Sequence, residues 1–178
     1  MGNSITEGWI RTHPDFFKSN GYISRGISGQ TSYQFLLRFR EDVINLSPAL
    51  VVINAGTNDV AENTNVYNED QTFGNIVSMV ELAKANKIKG ILTSVLPAAA
   101  FKWRMEIKDA PQKIQALNAR IEAYAKANKI PFVNYYKVMV VDENQALNPQ
   151  YTKDGVHPTS EGYDIMEPLI KSAIDKAL

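Results

Sequence analysis

The chain has 178 residues, 44% of them hydrophobic, which is enough for one sizeable core and too little for two. Nineteen basic and nineteen acidic residues cancel to a formal net charge of zero, so no basic surplus points to nucleic acid or an anionic membrane. There is no cysteine, which excludes disulfides, thiolate nucleophiles and Cys-based metal sites, and no apolar run reaches the ~20 residues of a membrane span.

The chain opens "MGNSITEGW", where Gly2, Asn3 and Ser4 carry a turn signal. "GYISRGIS" is short and β-branched and reads as a strand. In "QTSYQFLLRFREDVINL" the residues Phe35, Leu36, Phe39, Val43 and Leu46 recur at helical spacing, with Thr31 and Ser32 as candidate N-caps. "PALVVINAG" holds the continuous apolar run Leu50 to Ile53, as suits a strand buried on both faces of a parallel sheet. The polar loop "TNDVAENTNVYNED" leads into a helix through Ile76, Met79, Val80 and Ala83. "KIKGILTSVLP" reads as a second buried strand. "PQKIQALNARIEAYAKANK" is a helix with Ile114, Leu117, Ile121 and Tyr124 on one face, and "IPFVNYY" is a strand. "SEGYDIMEPLIKSAIDKAL" is a closing helix, with Pro168 as a kink. Alternating strands and helices, with no repeat and no linker, predict one α/β domain over residues 1–178, built on a parallel sheet.

Ligands of such sheets bind at the carboxyl ends of the strands, so chemistry is sought in the loops there. Only two histidines exist. His157 stands in "DGVHP", three residues after Asp154, and a carboxylate so placed can hold the Nδ1–H of the ring. Alone, this pattern reads equally as a loop histidine beside a solvated aspartate. His13 precedes Pro14 and reads as surface loop, with only Asp15 as a nearby carboxylate. Ser4 in a tight turn suits a nucleophile, and equally a plain turn. Gly29 in "GISGQTS" leaves room for its N–H to meet an anion, or is a turn glycine. The Asn58 side chain in "NAGTND" suits an oxyanion donor, or caps its loop. What joins these signals is position. Ser4, Gly29, Asn58, Asp154 and His157 all fall at one edge of the inferred sheet. Two histidines, no cysteine and no H-E-x-x-H leave no credible metal-ligand set. With no G-x-G-x-x-G and no Walker motif there is no phosphate cradle for a nucleotide or flavin.

The blocks "GNSIT", "GISGQTS", "GTND" and "DGVHP", in this order across about 160 residues, resemble the four signature blocks of the SGNH hydrolases, the GDSL esterase/lipase family. The resemblance implies a flavodoxin-like three-layer α/β/α sandwich with five parallel strands. It implies ester hydrolysis without cofactor or metal. Ser4 matches the nucleophile, Asp154 and His157 complete the triad, and Ser4, Gly29 and Asn58 form the oxyanion hole. Similarity to compact bacterial members favours a deacetylase of carbohydrate or small-molecule esters. A lysophospholipase or thioesterase is the alternative within the family, and a catalytically inactive ligand-binding domain is the alternative outside it.

Two departures stand out. Asn3 occupies the place of the family's Asp, and an Asn amide can organise the same turn. The family strand that precedes the Gly-x-Ser turn has no residues here, so the sequence predicts a fragment or an omitted upstream segment. The stretch "PAAAFKWRMEIKDAP" follows a strand and should overhang the site. There Phe101, Trp103 and Arg104 are candidate substrate contacts, or else anchors of their own loop. A periplasmic, secreted or cytoplasmic setting and a homo-oligomer all stay open.

Overall fold

The computed structural model describes residues 1–141 and 143–178. Three parallel strands form the sheet, β1 (Leu50–Ile53), β2 (Lys89–Thr93) and β3 (Phe132–Val133), in the order β1-β2-β3. Their register pairs Val52 with Ile91 and Leu92 with Phe132. Eight helices surround them among the described residues: α1 (Ser4–Thr12), α2 (Pro14–Asn20), α3 (Ser32–Asp42), α4 (Thr57–Val60), α5 (Glu69–Ala85), α6 (Ala110–Ala127), α7 (Tyr135–Met139) and α8 (Ser160–Ala177). A small antiparallel pair, β4 (Val140–Val141) and β5 (Ala146–Leu147), stands apart from the sheet.

The sheet is covered on both faces because successive strand residues point to opposite sides. Val51, Ile53 and Leu92 face one core, shared with Phe35 and Phe39 of α3, Ile76 and Met79 of α5, and Ile114 and Leu117 of α6. Val52 and Ile91 face the other, shared with Ile5 and Trp9 of α1 and with Tyr163, Met166 and Ile170 of α8. The layering is therefore α/β/α. Trp9 belongs to this second core. Its ring stacks on Tyr163 with centroids 5.3 Å apart, and the Tyr163 hydroxyl donates to the Ile5 carbonyl at 2.8 Å.

The flanking helices α3, α5, α6 and α8 fall where hydrophobic spacing predicts them. The expected strand at 21–28 is reduced to one parallel bridge, Gly2 to Gly26. "IPFVNYY" keeps only two strand residues, because Asn134 caps α7 by accepting the Lys137 N–H. Among the described residues the sheet thus has three strands, not five.

Among the described residues, Met1 and Gly2 hold the position beside β1. The Met1 amino group donates to the Val52 carbonyl at 2.9 Å, and Asn54 N–H donates to the Met1 carbonyl at 3.1 Å. On its other side Gly2 bonds Arg25 and Ile27. Beyond Met1 this lane opens into an apolar cavity of about 390 Å³, walled by residues 20–25 on one bank and 48–52 on the other. Leu50 and Val52 are half-buried there although they lie in the middle of the fold. Burial, helped by the Arg38 charge, pushes the Met1 ammonium down to about 5 from an ordinary 8.0.

Candidate active site

Ser4 is the first residue of α1, and its placement begins with Asn3. The Asn3 side chain accepts the Ile5 N–H at 3.0 Å and so caps the helix. Asn3 is buried, and the amide does the turn-organising work expected of it. The Ser4 N–H lies in the first helical turn, where backbone donors have no intrahelical acceptor.

His157 comes from the loop before α8, over 150 residues away. Its Nε2 is 2.9 Å from Ser4 Oγ, and its Nδ1 is 2.6 Å from Asp154 Oδ2. The other Asp154 oxygen accepts the backbone N–H groups of Val156 at 2.9 Å and His157 at 2.8 Å. Burial pushes this carboxyl up, but those bonds and the His157 ring outweigh it and hold it at about 2, against an ordinary 3.8. An ionised carboxylate only accepts, so Nδ1 carries the proton and Nε2 faces Ser4 as an acceptor. The three side chains thus form a hydrogen-bonded chain from a carboxylate through an imidazole to a hydroxyl at a helix start.

Asn58 lies on α4, directly past β1. It is buried, and its Nδ2 donates to the Gln30 carbonyl at 2.9 Å. Gly29 precedes Gln30, is exposed, and has φ +78°, a conformation glycine adopts without strain. The Gln30 bond therefore ties the Asn58 loop to the Gly29 loop. One amide hydrogen of Asn58 remains for another acceptor. Among the described residues no hydrogen bond joins Asn58 or Gly29 to Ser4 itself.

The 97–111 stretch divides. Trp103 is 44% exposed, and its ring centroid lies 6.2 Å from that of His157. Phe101 is fully buried and packs beneath Trp103 with centroids 5.3 Å apart, so it supports that ring and offers no open face. Arg104 is held by Glu106 at 2.6 Å and by Glu62, a loop anchor in its contacts. Asn63 escaped the sequence reading. It accepts the Trp103 indole N–H at 2.9 Å and donates to the Gly29 carbonyl at 3.3 Å. A lone Asn in a polar loop carries no signal of that bridge. Asp59 was also missed. It is buried beside Asn58 and accepts the Ser32 N–H at 3.0 Å, which fixes the start of α3 behind Gly29. Outside the Ser4 cluster, His13, Asp164 and Glu167 bring ligand-type atoms within 4.8 Å of one another.

The family model described as GDSL-like lipase/acylhydrolase matches residues 1–165. The chain belongs to this family. A crystal structure of a GDSL-like lipase from Bacteroides thetaiotaomicron is 88% identical, with a TM-score of 0.99 over all of this chain and 87% of that one. Axe2, an acetylxylan esterase from Geobacillus stearothermophilus, shares the fold at 19% identity, with a TM-score of 0.74 over 97% of this chain and 91% of that one. An N-acylneuraminate cytidylyltransferase of Streptococcus agalactiae is 27% identical over 157 residues, 88% of this GDSL-family chain. The chain spans about a third of the length of the curated relatives it matches first, 35% in that case. No described helix is long and apolar enough to cross a membrane.

Proposed function

We propose that this chain hydrolyses short-chain carboxylic esters through an acyl-enzyme on Ser4, and that its substrates are acetylated carbohydrates or small acetyl esters. The observation that carries the mechanism is the relay from Asp154 through His157 to Ser4, at 2.6 and 2.9 Å. His157 Nε2 takes the Ser4 proton as Oγ attacks the ester carbonyl. Asp154 holds the ring in the required tautomer and stabilises the imidazolium that forms. The oxyanion is received by the backbone N–H groups of Ser4 and Gly29 and by Asn58 Nδ2, each such donor contributing ~3 kcal/mol to the transition state. His157 then returns the proton to the leaving alkoxide, and water repeats the cycle on the acyl group.

The acyl preference rests on the surroundings. The 390 Å³ apolar cavity has neither Ser4 nor His157 in its lining. The exposed Trp103 ring beside His157 suits the apolar face of a sugar. The names of two similar proteins, an acetylxylan esterase and an N-acylneuraminate enzyme, both concern acyl-bearing sugars. The test is hydrolysis of p-nitrophenyl acetate and octanoate by the parent and by Ser4→Ala. Turnover that falls steeply from acetyl to octanoyl and vanishes in the variant is expected. The reverse chain-length profile overturns the acyl preference, and an unchanged variant overturns Ser4 as nucleophile.

A further inference from the structure

His13 is not the isolated loop residue its sequence neighbours suggest. Its Nδ1 is 2.6 Å from Glu167 Oε1, and its Nε2 is 2.7 Å from Ser160 Oγ. The correspondence with the Ser4 relay is close. Ser4 opens α1 and meets a histidine that precedes α8. Ser160 opens α8 and meets a histidine that follows α1. In both, Nε2 faces the hydroxyl and Nδ1 faces a carboxylate.

We propose that Ser160, His13 and Glu167 form a second nucleophilic centre that accepts acyl groups from small uncharged esters. The base and acid are shielded, with side chains 14% and 19% exposed, while Ser160 is open to solvent. Glu167 is fixed by the Trp9 indole N–H, which donates to the same oxygen at 3.0 Å. His13 is fixed by its edge contact with the Tyr163 ring at 5.9 Å. The first helical bond at this end runs from Tyr163 N–H to the Thr159 carbonyl, so the Ser160 N–H has no intrahelical acceptor and can receive an oxyanion, whereas the Glu161 N–H is taken by its own carboxylate. The step balances without a co-reactant. Ser160 Oγ bonds the acyl carbon while its proton passes to His13 Nε2. The ester C–O bond then breaks, and the alkoxide leaves with that proton. Glu161 and Asp164 lie on the same turns, and Asp164 Oδ1 is 3.9 Å from His13 Nδ1. Their charges oppose an anionic substrate and a developing oxyanion, so this centre is slower than Ser4 and selects neutral esters.

The experiment uses Ser4→Ala, which removes the first nucleophile, so failure here leaves the Ser4 reading untouched. The protein is treated with an uncharged fluorophosphonate, and with p-nitrophenyl acetate, and the modified serines are located by peptide mass spectrometry. Exposed Ser172 of the same helix serves as the internal reference. Ser160 is expected to label faster than Ser172 by about 100-fold, the usual range of a positioned base, and to lose that excess in His13→Gln and most of it in Glu167→Gln. Equal labelling of Ser160 and Ser172 overturns the proposal, as does an excess that survives both variants. Ester turnover at Ser4 by the single variant His13→Gln, with Ser4 intact, checks that the variant folds. If it does not fold, the ratio within Ser4→Ala decides alone.

Discussion

The Trp103 ring stands beside His157, with centroids 6.2 Å apart and planes inclined by 33°. In the proposed acyl-enzyme mechanism a transient imidazolium forms at that position. An indole face attracts a neighbouring cation by ~1 kcal/mol at a partly exposed site. Trp103→Ala should therefore lower kcat about fivefold, with Trp103→Phe intermediate, in steady-state kinetics on p-nitrophenyl acetate. If the ring also receives a sugar face, KM for an acetylated glycoside rises while KM for the aryl ester does not. Unchanged constants on both substrates would reduce Trp103 to an anchor of its loop.

Asp154→Asn should leave the fold in place and reduce kcat by about 10⁴, because an amide no longer enforces the Nδ1–H tautomer. The pH dependence separates two roles of the carboxylate. Its folded value of about 2 lies below the ordinary 3.8, so its stabilising contribution is complete above that ordinary value and is lost as pH falls through the folded one. Asp154 thus stays ionised at every pH above its ordinary value, and its own titration adds no limb to kcat against pH there. An acid limb that shifts with the charge state of residue 154 alone would contradict this.

Asn58→Ala combines two losses that different measurements resolve. Removing the oxyanion donor should lower kcat 10²- to 10³-fold, roughly, with little change in KM. Removing the bond to the Gln30 carbonyl should cost ~1–3 kcal/mol of stability, read from urea denaturation. A stability loss with unchanged kcat would leave Asn58 as a loop staple and move the oxyanion role elsewhere.

The layered α/β class and the grouping of Ser4, His157 and Asp154 were legible because their signals are local or strongly periodic. Leu50 to Ile53 is a continuous apolar run, and "DGVHP" carries acid and base within four residues. What was not legible depended on contacts across the chain. Gly8 hides α1, since a mid-helix glycine costs ~1 kcal/mol against alanine. The fold demands it because a Cβ there would lie 2.8 Å from the Tyr163 hydroxyl. The partner of His13 is Glu167, 154 positions away, so a search of its sequence neighbours could reach only Asp15. Phe101 and Trp103 look alike in sequence, yet one is buried and the other open, because side chains two apart in a loop need not share a face.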